Sequence, residues 1–149
     1  MTILVDTSIL ARLANSADAL YPVADHAVPE LVMRGHRLYL APQNLVEFRN
    51  AATRPAGVNG LGKTAAEADA LVDGFEAKFG LLDESPAVHA RWKRIVRLLG
   101  VIGKQVHDAR LVAMCHEHGL AAILTFNLSH FRTLSAAPPG IVVLDPATV

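Results

Sequence analysis

Four short β-like runs separated by longer helical stretches set the fold class of this chain. Ile3-Leu4-Val5, Arg37 to Ala41, Ala121 to Thr125 and Ile141 to Leu144 are short and end at turn, cap or polar residues. The stretches between them follow the helical period, so the chain reads as α/β with a mostly parallel sheet. Its 149 residues suit one domain, residues 1–149, which can bury a core without a disulfide or structural metal.

The expected helices have recognisable starts and stops. Thr7 or Ser8 caps a helix through Leu13, and a second covers Val23 to Arg34 and stops at Gly35. Pro42 opens a helix through about Ala52. Residues Arg54 to Gly62, with Pro55, Gly57, Gly60 and Gly62, read as a mobile surface loop. This loop lacks the preceding strand and the Lys-Ser/Thr of a P-loop. Thr64 to Phe79 is helical, with Thr64 and Glu67 forming a capping box. Pro86 to Leu99 and Asp108 to His118 are further helices, the latter stopped by Gly119, and Ser129 to Leu134 is a short turn or helix.

Composition removes several classes. With 52% hydrophobic residues the chain is not disordered. No apolar run approaches the ~18–20 residues that span a bilayer. The N-terminus has no basic segment ahead of its apolar residues, so no secretory leader is expected. The single cysteine, Cys115, reads as a small buried hydrophobe in a reducing, cytoplasmic setting. His116-Glu117-His118 places its histidines two apart, which a helix does not present on one face, so it is not a zinc motif.

In an open α/β sheet, ligands bind beyond the carboxyl ends of the strands. Asp6 ends the first strand, directly after three apolar residues, where packing alone gives no reason for an acid. Glu47 follows the second strand, Asp108 opens a helix, and Asn127 follows the strand that ends near Thr125. Three carboxylates gathered at one sheet end repel each other unless a cation is present. All-oxygen donors select Mg²⁺ or Mn²⁺, and metal-assisted phosphodiester hydrolysis is the corresponding chemistry.

The residues carry a family resemblance. Ile3-Leu4-Val5-Asp6-Thr7-Ser8-Ile9-Leu10, Asn44-Leu45-Val46-Glu47-Phe48, His107-Asp108-Ala109-Arg110-Leu111-Val112-Ala113 and Ile123-Leu124-Thr125-Phe126-Asn127-Leu128-Ser129-His130-Phe131 occur in the order and at the spacing of a PIN domain. The chain resembles in particular the VapC-type toxins of prokaryotic toxin–antitoxin pairs. The resemblance implies an α/β/α sandwich and a Mg²⁺- or Mn²⁺-dependent endoribonuclease. It also implies a homodimer and a cognate VapB-like antitoxin that obstructs the active site. By position, Asp6, Glu47 and Asp108 match three of the family's metal-holding acids. The fourth falls at Asn127, a neutral amide, which favours a single tightly bound ion. Thr7, Ser8, Thr125 and Arg110 lie in the same motifs and are expected at the RNA substrate.

Fourteen basic residues balance fourteen acids, but the charges are segregated. Arg91, Lys93, Arg94, Arg97 and Lys104 form a run without an acid that leads toward Asp108. This run is either a phosphate-contacting surface or a solvated helix face. Trp92 within it is expected in the core. Two other readings stand beside the ribonuclease. One is a catalytically weak PIN-fold module that binds RNA or protein. The other, an Asp-nucleophile phosphatase, needs Asp-x-Asp where this chain has Asp6-Thr7-Ser8.

Overall fold

The computed structural model describes residues 1–149. Its centre is a five-stranded, all-parallel sheet in the order β3-β2-β1-β4-β5. The strands are β1 (Thr2–Val5), β2 (Arg37–Leu40), β3 (Gly80–Leu81), β4 (Ala122–Leu124) and β5 (Val142–Leu144). The helices are α1 (Thr7–Leu13), α2 (Tyr21–Met33), α3 (Pro42–Thr53), α4 (Ala65–Lys78), α5 (Pro86–Leu99), α6 (Gln105–His118) and α7 (Leu128–Leu134). No helix is long and apolar enough to cross a membrane.

Alternation along the strands explains why β1 from Ile3 to Val5 and the whole of β4 are apolar. Ile3, Val5, Ala122 and Leu124 face a core shared with α1 to α4, including Phe48 and Phe75. Leu4 and Ile123 face the opposite way, into a core with α5, α6 and α7 that includes Met114 and Phe131. Successive side chains of a strand point to opposite faces, so a strand covered by helices on both sides must be apolar at every position. The result is the α/β/α sandwich.

Several boundaries differ from the sequence expectation. The cap of α1 is Asp6 rather than Thr7 or Ser8, its carboxylate accepting from the Ser8 amide at 3.4 Å. Helix α6 begins at Gln105, so Asp108 sits within its first turn rather than at its start. Helix α2 starts at Tyr21, with Pro22 in its opening turn where a missing N–H costs nothing. Strand β3 carries no β-run in the sequence. It exists because Gly80 pairs with Tyr39, whose ring lies where a side chain at residue 80 would go. The Thr64–Glu67 capping box forms as expected, with bonds of 3.1 and 3.3 Å.

The glycine-rich loop is tied down instead of standing free. Leu61 N–H donates to Ala51 O, Gly62 N–H to Arg54 O and Lys63 N–H to Ala52 O, at 3.1, 2.8 and 2.8 Å. The chain thus folds back on the end of α3. Gly60 lies so close that a Cβ there would stand 2.0 Å from the Arg54 carbonyl oxygen. Gly74, inside α4, has nothing within 4 Å of the same position. Gly60→Ala is therefore expected to destabilise the protein by about 1–3 kcal/mol through forced displacement of backbone. Gly74→Ala is expected to stabilise it by about 0.5–1 kcal/mol through helix propensity. Urea denaturation of the two variants reads both signs.

Candidate active site

The strand order reverses direction at β1. From β1 the chain builds outward through β2 to β3, and later returns on the other side with β4 and β5. The carboxyl ends of β1 and β4 therefore border a crevice of the type where α/β sheets bind ligands. Asp6 and Thr125 sit at those two ends, joined by a backbone bond from Asp6 N–H to Leu124 O at 3.0 Å.

Asp6 is only 3% exposed. Its Oδ2 accepts from the hydroxyls of Ser8 at 2.6 Å and Thr125 at 2.7 Å. Each hydroxyl in turn accepts a backbone N–H: Phe126 donates to Ser8 Oγ at 3.1 Å, and Asn127 donates to Thr125 Oγ1 at 2.9 Å. A backbone N–H can only donate, so both hydroxyl protons are directed at Asp6. Burial pushes the Asp6 carboxyl up, the Ser8 and Thr125 bonds pull it back, and the charge of Glu47 adds to the upward push. The net direction is upward. Asp6 Oδ1 takes no part in these bonds.

Glu47 is held on α3 by two donors. Thr7 Oγ1 donates to its Oε2 at 2.8 Å and Gln43 Nε2 to its Oε1 at 2.6 Å. Behind Thr7 stands the fully buried Asn44, which donates to Thr7 Oγ1 and accepts from the Ala41 amide at the start of α3. Asp108 comes from the other side, in contact with His130 Nδ1 at 3.3 Å. Its carboxyl is raised from the ordinary 3.8 to about 6, first by burial and then by the charge of Asp6, with His130 opposing and Glu47 adding.

Asp6, Glu47, Asp108 and Asn127 line one open hollow of about 400 Å³. As the side chains stand, no three acidic, histidine or cysteine groups are close enough to enclose an ion together. The donor chemistry nevertheless fits a hard divalent cation. Mg²⁺ characteristically takes one or two carboxylates, several waters and substrate phosphates. The charge coupling among Asp6, Asp108 and Glu47 is the conflict that such a cation removes. Asp6 Oδ1 and the Asp108 carboxylate are the freest oxygens, since both oxygens of Glu47 already accept a bond.

The candidates for substrate contact are placed differently from expectation. Ser8 and Thr125 are buried with their protons on Asp6, and Thr7 is bonded to Glu47, so all three position the acids. Arg110 is turned away into a two-pronged pair with Glu84, at 3.1 and 2.7 Å, and also reaches Gln43. Of the basic run, Lys104 alone reaches the hollow, while Arg91 pairs with Glu117. Trp92 donates to Val106 O and packs on the core beneath α5 and α6. Burial pushes the Cys115 thiol up to about 12, which leaves it unreactive. Gln43, Asn44 and His130 were not apparent as site residues, and neither were Arg12 and Arg54, which line the hollow from α1 and the end of α3. Position within the recognised motifs marks Asn44 and His130; the others carry no sequence signal.

The electrostatics have a measurable consequence for stability. A raised carboxyl binds its proton more tightly in the folded state. Its ionisation therefore costs nothing below the unfolded value near 3.8 and weighs fully above the folded value of about 6. In metal-free buffer, Asp108→Asn is expected to be more stable than the parent at pH 7, by about 1 kcal/mol after allowance for partial exposure. That advantage should vanish as the pH falls from 6 to below 4. Thr125→Val removes one proton donor from Asp6 and one acceptor from Asn127 N–H, and should cost about 1–3 kcal/mol. Denaturation curves across that pH range test both.

Known structures share this architecture. VapBC2 from Rickettsia felis, solved with a DNA fragment from its promoter, is 15% identical with a TM-score of 0.70, covering 97% of this chain and 98% of that one. VapBC-1 from nontypeable Haemophilus influenzae is 14% identical with a TM-score of 0.70, covering 98% of each chain. The sarcin–ricin loop cleaving toxin VapC20 from Mycobacterium tuberculosis is 20% identical with a TM-score of 0.64, covering 91% of this chain and 95% of that one. These likenesses concern the fold. No curated protein matches the sequence. Residues 3–135 match the PIN domain, and the chain belongs to the PIN domain family.

Proposed function

We propose that this protein is a Mg²⁺- or Mn²⁺-dependent endoribonuclease and acts as the toxin of a toxin–antitoxin pair. The observation that carries the reading is the convergence of Asp6, Glu47 and Asp108, from three separate elements, on one hollow at the sheet's switch point. Family membership supports nuclease chemistry, and fold likeness to VapC20, a sarcin–ricin loop cleaving toxin, supports an RNA substrate. The likeness to VapBC and FitAB structures supports a protein antitoxin as partner. A homodimer is part of the same proposal.

Asp6, Asp108 and Glu47 would hold the cation. When bound, it supplies Lewis acidity, stabilising charge that develops on the phosphoryl oxygens and making water more acidic. The chain's own contribution is to fix the donors in advance. Ser8 and Thr125 hold Asp6 in one orientation, and Thr7 and Gln43 do the same for Glu47. His130 holds Asp108 from the side. Asn127 adds an amide without charge, which limits the site to one tightly held ion. The same amide, with the lack of a ready three-acid cage, favours a second reading as a PIN-fold binding module with little turnover.

RNA cleavage in Mg²⁺ or Mn²⁺ that stops on addition of a chelator decides between them. Asp6→Asn and Asp108→Asn are each expected to lower cleavage by 100-fold or more on the order-of-magnitude scale for losing a charge-stabilising group. Circular dichroism should show the fold retained, and growth inhibition on expression should disappear with the activity. Parent-like cleavage by both variants would refute the site, and RNA binding without any turnover would establish the module.

A further inference from the structure

Beside the acidic hollow lies a second one of about 310 Å³, bounded by α1, the end of α3 and the tied-down loop. The two share Ala11, Arg12, Ala51 and Arg54 in their walls, so they adjoin. Arg34, Arg49, Arg91 and Arg110 are each hydrogen-bonded to a carboxylate. Arg12 and Arg54 are not, and of the arginines without such a bond (Arg37, Arg94, Arg97 and Arg132 are the others) they alone line the two hollows. Arg54 has no ion pair. Arg12 Nε lies 3.8 Å from Asp18 Oδ2, an ion pair without a hydrogen bond, and the Leu20 amide donates to Asp18 Oδ1 at 2.8 Å. The Nε of both arginines is buried without an acceptor.

The Arg12 guanidinium and the Arg54 backbone are both held. The Arg12 group lies 5.7 Å from the centre of the Phe126 ring, next to the residues that hold Asp6. Arg54 leaves α3 in extended conformation, with its carbonyl pinned by Gly62 N–H and Gly60 packed against its backbone. Two guanidinium groups, short of acceptors and next to a cluster of acids, meet the need of an RNA strand at such a site. A polyanion approaching three carboxylates requires fixed positive charge nearby, and the guanidinium fork matches phosphate oxygens.

We propose that Arg12 and Arg54 clamp a backbone phosphate of the RNA neighbouring the one placed at Asp6 and Asp108. The clamp rests on the ribonuclease reading above and adds to it the residues that seat the strand. Because phosphate carries no base information, the contact is independent of sequence.

The test is binding of a fluorescein-labelled, mixed-sequence single-stranded RNA in chelator, where no turnover occurs, followed by anisotropy over a range of salt. Arg12→Ala and Arg54→Ala should each weaken binding by roughly tenfold and flatten the plot of log affinity against log salt by about 0.7 per phosphate lost. Arg12→Lys and Arg54→Lys should recover much of the slope, since charge is kept while the fork is lost. Arg37→Ala, at the amino end of β2, should match the parent. Melting curves identify any variant that has lost its fold, and the lysine forms then carry the comparison. If the parent binds and cleaves RNA while the arginine variants keep its affinity and slope, the clamp is overturned and the ribonuclease reading stands. The two arginines would then belong to a protein partner. If the parent neither binds nor cleaves RNA, both fall.

Discussion

Burying the Asp6 carboxylate at the end of β1 is the constraint around which this end of the molecule is built. Removing a carboxylate from water is costly unless its oxygens are bonded. Here two hydroxyls and an amide meet one oxygen, and the hydroxyls are themselves oriented by backbone N–H groups from the start of the segment after β4. The same bonds therefore fix the carboxylate and tie β1 to β4 at the switch point. The other oxygen takes no part in these bonds.

Charges of both signs meet at the site. Several arginines away from the acids are paired with carboxylates, as Arg110 is with Glu84 and Arg91 with Glu117, while Arg37, Arg94, Arg97 and Arg132 are not. Arg12, Arg54 and Lys104, which border the acids, are not hydrogen-bonded to any. Burial first, and then the charge of Asp6, raises the Asp108 carboxyl to about 6. At the hollow, acids and cations without a hydrogen-bonded counter-charge stand side by side, where a cation and a phosphodiester can satisfy them together. A formal charge of zero is thus compatible with an RNA-handling surface.

Features governed by local rules were legible in the sequence. The apolar runs of β1 and β4 announce strands covered on both faces, and Thr64-x-x-Glu67 announces its helix start. Asp6 stands out in the sequence because an acid breaks an apolar run, and the structure places it buried at the end of β1. Features made by contacts between distant segments were not. Strand β3 is two exposed residues with a glycine, defined only by its neighbour β2. Arg12 and Arg54 come together from different helices, whereas the conspicuous run from Arg91 to Lys104 winds around α5 and brings only Lys104 to the hollow. Loop residues Arg54 to Gly62 looked mobile by composition, but Gly60 serves there as the residue small enough to lie against Arg54.

If the carboxylates at this sheet end repel one another, a divalent cation bound among them stabilises the folded protein. Thermal unfolding at pH 7 over a Mg²⁺ titration tests it most directly, with parent, Asp6→Asn and Asp108→Asn compared. Ligand binding to the folded state alone raises stability as the logarithm of concentration above Kd. The Tm of the parent should rise with Mg²⁺, and the rise should be much reduced in each variant. Identical curves for all three proteins would contradict this.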